Sequence, residues 1–125
     1  MYVDGFVLPV PKDKLDAYRK LAQTAGTVWR EHGALEYVEC VADDVQPGEQ
    51  TSFPQSVKLA PGETVVFAWI RYASRAERDR VNAAVMADPR IAGMEGEAMP
   101  FDGMRMFWGG FEVMVELPGG EPRGG

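Results

Sequence analysis

Asp4, Glu39 and Arg71 are the residues whose types and placement point to chemistry, with Tyr37 two residues before Glu39 and Trp69 two residues before Arg71. Each lies in a stretch of alternating character, so antiparallel pairing is expected to set all five on one sheet face. An arginine fork there holds a small carboxylate, and a carboxylate with a raised pKa serves as a general base. Asp4, Tyr37, Glu39, Trp69 and Arg71 are therefore the candidate ligand-binding set. A second reading competes with it. An Asp/Glu–Arg pair near a dimer axis neutralises charge that an interface buries, and such pairs perturb pKa values without any catalysis. The structural pair is the favoured reading, and no catalytic residue is assigned.

Other reactive types carry less. Cys40 is the only thiol and His32 the only histidine. A thiol nucleophile needs a base, and nothing in the sequence brings His32 to Cys40. Cys40, on a face of small residues, is expected in the core. His32 closes a helix, where a cation suits the dipole, and without a His or Cys companion it makes no metal site. Asp43 and Asp44, with Glu36 and Glu39, lack the ligand spacing of a calcium loop and read as solvated strand ends. Arg71, Arg75, Arg78 and Arg80 are interleaved with Glu77 and Asp79, so a solvated helix face is expected rather than a phosphate patch. Neither a G-x-G-x-x-G run nor a P-loop occurs, and no cofactor is expected. Met94, Met99, Met104, Met106 and Met114 suit an adaptable pocket or, more commonly, packing filler.

The elements that must position these residues follow from periodicity. Residues 2–10 alternate as a strand that Pro9 and Pro11 close. Leu15, Tyr18, Ala22, Ala25, Trp29 and His32 then recur at helical spacing over 13–32, with Asp13 as N-cap and Gly33 as a left-handed C-terminal stop. A strand is expected over Leu35–Ala42. The 43–62 connection holds Pro47, Gly48, Pro54 and Pro61, and loops of that length tend to be functional or mobile. Thr64–Tyr72 is rich in β-branched and aromatic residues. Ser74-Arg75-Ala76-Glu77 has the spacing of a capping box and opens a helix to about Ala87. Asp88-Pro89 caps a short turn over 89–94. Asp102-Gly103 turns the chain into a last strand over 104–115, which Gly109-Gly110 should bulge or bend.

The order β-α-β-β-α-β predicts an α+β, ferredoxin-like domain over 1–117, with four antiparallel strands and both helices on one face. Residues 118–125 read as a flexible Gly/Pro tail. A chain of 125 residues with 46% hydrophobic content suits one core. Its formal charge of −6 opposes a nucleic-acid or anionic-membrane partner. Met1–Phe6 has no basic n-region and no apolar span is long enough for a membrane, so a cytoplasmic protein is expected.

Two helices cover one side of a sheet. Val3/Gly5/Val7, Val38/Cys40/Ala42 and Val66/Ala68/Ile70 are assigned to the covered face. Tyr2/Asp4/Phe6/Leu8, Tyr37/Glu39/Val41 and Phe67/Trp69/Arg71 are left for the other. That second set is too aromatic for water and too charged for a dry core, which predicts a homodimer enclosing a partly wet cavity. The last strand is compatible with either orientation.

Tyr2-Val3-Asp4-Gly5-Phe6-Val7, Val38-Glu39-Cys40 with Asp43-Asp44-Val45, Val65-Val66-Phe67-Ala68-Trp69-Ile70, Asp88-Pro89-Arg90, Met99-Pro100-Phe101-Asp102-Gly103, Arg105-Met106 and Gly109-Gly110-Phe111 occur in that order. Together they resemble the YbaA-like family of small bacterial proteins, a domain of unknown function among the dimeric α/β barrels. The resemblance spans residues 1 to about 117 and implies a ferredoxin-like subunit paired into a barrel. It implies no reaction. Two functions stay open: a dimer binding a small molecule in the barrel or between sheet and helices, and a non-catalytic protein acting through its interface or the 43–62 loop.

Overall fold

The computed structural model describes residues 1–94, 98–117 and 119. The expected tail, at 118 and 120–125, lies outside the described residues apart from Gly119. Chain order is β1 (Tyr2–Pro11), α1 (Leu15–Glu31), β2 (Glu36–Val41), α2 (Phe53–Ser56), β3 (Glu63–Tyr72), α3 (Arg75–Ala87), α4 (Pro89–Ala92) and β4 (Phe107–Glu112). The four strands form one antiparallel sheet in the order β2-β3-β1-β4. This is the α+β architecture that the periodicities predict.

The helix ends have local causes. A 3-10 turn over Lys12–Lys14 precedes α1, so Asp13 sits inside that turn and does not cap the helix. At the other end Gly33 takes φ +121°. There the Ala34 amide donates to the Trp29 carbonyl at 3.0 Å and the Gly33 amide to the Arg30 carbonyl at 3.2 Å. This pair of bonds satisfies carbonyls that the last turn leaves open, and glycine takes that conformation without steric cost. Ser74 Oγ accepts the Glu77 amide at 3.1 Å and starts α3. Only half of the expected box forms, because the Glu77 carboxylate turns to Arg80 at 2.7 Å.

Asp88 ends α3 and starts α4, accepting the Arg90 amide at 2.9 Å. Its other oxygen lies 2.9 Å from His32 Nε2, which ties the end of α1 to the α3–α4 junction. Arg90, and after it His32, hold this carboxyl well below the usual carboxylate range.

β4 is shorter than the expected 104–115 strand, and its register against β1 runs unbroken from Tyr2↔Glu112 to Val7↔Phe107. Gly109-Gly110 therefore makes no bulge. Gly110 has a different use: a Cβ there would collide with the Tyr2 ring, which lies across it.

Strand pairing sets the faces, and it overturns the expected ones on β1 and β2. Val3 pairs with Arg71, Gly5 with Trp69 and Val7 with Phe67, while Val38 pairs with Trp69 and Cys40 with Phe67. Cross-strand partners share a face. The helices therefore cover Asp4/Phe6/Leu8, Tyr37/Glu39 and Val66/Ala68/Ile70. The uncovered side carries Val3/Gly5/Val7, Val38/Cys40 and Phe67/Trp69/Arg71.

Residue size misleads here because the small residues of β1 and β2 sit beneath large aromatics of β3. Cys40 is consequently exposed, against the expectation of a core thiol. β4 resolves likewise: Trp108 stacks on Phe6 on the helix side at 6.0 Å, and Phe107 and Phe111 lie on the open side.

The main core joins Val28 of α1, Val81 and Val85 of α3, and Ile70 and Tyr72 of β3. A second cluster places Tyr18 on Leu8, Val10 and Val66. The 43–62 connection folds onto one end of the open face, where Val57 and Leu59 pack against Val7 and Val65.

Candidate functional site

Between the sheet and α1 lies a chamber of about 350 Å³. Its floor is Phe6 and Leu8 of β1, Ala68 and Ile70 of β3, and Tyr37 and Glu39 of β2. The α1 stripe forms the roof with Tyr18, Leu21, Ala22, Ala25 and Trp29. Met86, Ile91, Met94, Met99, Phe101 and Met106 line the side. Three alanines at facing positions leave the room, since larger side chains there would fill it. Met94, Met99 and Met106 of the sequence-expected set line this side, and Met104 and Met114, 97% and 93% exposed, lie away from it.

Glu39 is the one charged residue on this lining among the described residues. Tyr18 Oη donates to Glu39 Oε1, and Tyr37 Oη donates to Oε2 at 2.6 Å. Burial, and after it the Glu39 carboxylate, push both phenols far above the usual tyrosine value, so they remain protonated donors. The same bridge borders an outer hollow of about 650 Å³ between α1 and the edge strand β2. Tyr18, Ala22, Tyr37 and Glu39 thus stand between chamber and hollow.

Gly26 makes the bridge possible. A Cβ there would stand 2.6 Å from Tyr37 Cδ1 and 2.8 Å from Cε1. The ring has little room to retreat, because its hydroxyl is held by Glu39 and Trp29 packs beside it at 6.1 Å. Alanine gains about 1 kcal/mol of helix propensity over glycine. Overpacking costs about 1–3 kcal/mol, so Gly26→Ala is expected to lower stability despite the better helix former. Urea denaturation checks this, and an unchanged or raised midpoint contradicts it.

The structure divides the sequence-predicted set. Tyr37 and Glu39 meet in the chamber. Asp4 is on the same side of the sheet but lies under α3 and does not line the cavity. Trp69 and Arg71 are on the opposite face, where Trp69 Nε1 donates to Glu36 Oε1 at 2.7 Å and Arg71 pairs with Glu116. The shared face expected for the five is therefore corrected: alternation sets which residues go together within a strand, and only pairing sets them between strands.

Asp4 does have an arginine partner, but it is Arg78. Asp4 is 1% exposed, and its Oδ1 is 3.3 Å from Arg78 Nη1. Arg78 also donates to Tyr2 Oη at 3.1 Å and lies 4.9 Å from that ring's centre. Arg78 thus leaves the solvated helix face on which the sequence places it, while Arg80 stays there with Glu77. Burial raises the Asp4 carboxyl above its ordinary value, against the pull of Arg78, Tyr72 and Asn82. Asn82 links this cluster to the chamber wall, accepting from Trp29 Nε1 at 3.1 Å and Tyr72 Oη at 3.2 Å.

Sequence reasoning missed Tyr18 and Trp29 as site residues because a helical stripe reads as core. The usable signal was a tyrosine hydroxyl inside that stripe, which needs a buried partner. Among the described residues no group of His, Cys, Asp or Glu is placed to hold a metal ion, and no helix is long and apolar enough to cross a membrane.

Comparison with known proteins adds the family and the fold. A family profile described as "Protein of unknown function (DUF1428)" matches residues 1–103. The uncharacterized protein YbaA of Escherichia coli (strain K12) is 51% identical over 115 residues, covering 92% of this chain and 97% of that protein. Protein Atu4242 from Agrobacterium tumefaciens superposes with a TM-score of 0.57 at 15% identity, over 91% of this chain and 94% of that one. An uncharacterized NIPSNAP domain protein from Burkholderia xenovorans gives 0.56 at 13% identity, over 95% and 100%. At such identities the likeness concerns the fold alone.

Proposed function

We propose, from the premise that this chain belongs to the DUF1428 family of proteins of unknown function, that it is a homodimeric binding protein enclosing a small, largely apolar molecule between sheet and helices. One observation carries the reading: an apolar chamber of about 350 Å³ with, among the described residues, a single carboxylate on its lining. Pockets for small molecules have this make-up, a mostly apolar wall with few placed polar groups. The Tyr18–Glu39–Tyr37 bridge supports it further, since a carboxylate beside so much apolar surface is held ready by two donors.

The second copy is expected on the open sheet face. Phe67, Phe107 and Phe111 are 42%, 47% and 65% exposed there, a patch too apolar for a lone domain. Arg71 with Glu36 and Glu116 places both charge signs on that face, which suits a self-complementary two-fold contact.

Naphthalene serves as a probe of the chamber. It is expected to raise the melting temperature of the protein and to give a saturable calorimetric titration. Ala25→Phe, which fills the roof, is expected to abolish both effects while the variant stays folded. Absence of binding to the unmodified protein, or equal binding to the filled variant, rules the reading out.

A further inference from the structure

We infer that the chamber selects ligands carrying a hydrogen-bond donor, such as an alcohol, a phenol or a ring N–H, and rejects carboxylates. This rests on the reading of the chamber as a binding site and names the ligand chemistry.

A carboxylate such as Glu39 has acceptors and no donor, and its two oxygens offer about four lone-pair positions. Tyr18 and Tyr37 occupy one on each oxygen. Both hydroxyl hydrogens are thereby committed to Glu39, so neither tyrosine has a donor left for a ligand carboxylate or carbonyl. The arginines on the outer hollow are engaged as well. Arg19 pairs with Asp16 at 3.0 Å, and Arg30 donates to the carbonyls of Ala34 at 2.7 Å and Leu35 at 2.9 Å.

A ligand in the chamber therefore meets unfilled acceptor capacity and negative charge, surrounded by Phe6, Trp29, Ala68 and methionines. A donor gains a charge-assisted bond. An anion meets a like charge.

Three probes of one shape decide it: naphthalene, 2-naphthol and 2-naphthoate, titrated calorimetrically near neutral pH. The hydroxyl is expected to tighten binding about tenfold or more relative to naphthalene, the worth of one hydrogen bond to a charged group. The carboxylate is expected to weaken it by about tenfold or more. In Glu39→Gln the gain from the hydroxyl shrinks and the penalty on the carboxylate falls.

Equal binding of all three, or tightest binding of 2-naphthoate, overturns the inference and leaves the binding site standing. Binding of none overturns the site itself. If Glu39→Gln does not fold, the order measured on the unmodified protein still decides.

Discussion

Arg78→Met is expected to cost about 3–5 kcal/mol of folding stability, the range for removing one partner of a buried ion pair. Asp4 is left 1% exposed with no cation, and its Oδ1 already has no hydrogen bond. Methionine keeps much of the side-chain bulk, so the loss reports the charge rather than a void. The pH dependence gives the reading its sign.

The folded Asp4 carboxyl titrates above its ordinary value because burial outweighs Arg78. A raised folded pKa contributes stability that is present below the unfolded pKa and is lost as pH rises through the folded one. Removing Arg78 raises the folded value further. The deficit of Arg78→Met against the unmodified protein is therefore expected to be largest at neutral pH and to narrow on acidification, as Asp4 protonates. Asp4→Asn placed on Arg78→Met should restore part of the loss at neutral pH, since no buried charge remains. Urea denaturation across pH measures all of this. A deficit that is constant with pH, or that the second substitution deepens, refutes it.

The second large effect concerns assembly. Phe67→Glu puts a carboxylate on the open face, beside Trp69 at 5.7 Å and Phe53 at 5.9 Å between ring centres. In the isolated subunit Phe67 is 42% exposed, so the substitution spares the core. In a two-fold dimer it buries two like charges without partners. That is worth about 3 kcal/mol or more, or at least about a hundredfold in the dimer dissociation constant. Sedimentation should show the unmodified protein as a dimer and Phe67→Glu as a folded monomer. A variant that remains dimeric at the same affinity places the interface elsewhere.

Much of the fold was legible because its signals are local. Ser74 and Asp88 cap helices where their spacing says they should, and Gly33 stops α1 through a conformation that glycine tolerates. Asp13 fails as a cap for a reason no periodicity carries, an extra 3-10 turn after β1. Of the candidate site, Tyr37 and Glu39 were expected as a pair two residues apart on one strand face, and both line the chamber. Tyr18 was hidden in a helix stripe, and it joins them from 21 residues away in the chain. Trp69 and Arg71 were set beside them on an assumed register and belong to the other face.

The sequence by itself determined the four strands and two long helices, their order and the within-strand alternation, though not the short α2 or the 3-10 turn before α1. The former depend on side-chain period and on backbone preferences of neighbouring residues. Only the tertiary structure decided which alternating sets share a side of the sheet. A one-residue change in pairing moves a whole strand's side chains to the opposite face without altering its pattern. That decision exposed Cys40, paired Asp4 with Arg78, and brought Glu39 under α1 between two tyrosines, where a carboxylate meets an apolar chamber.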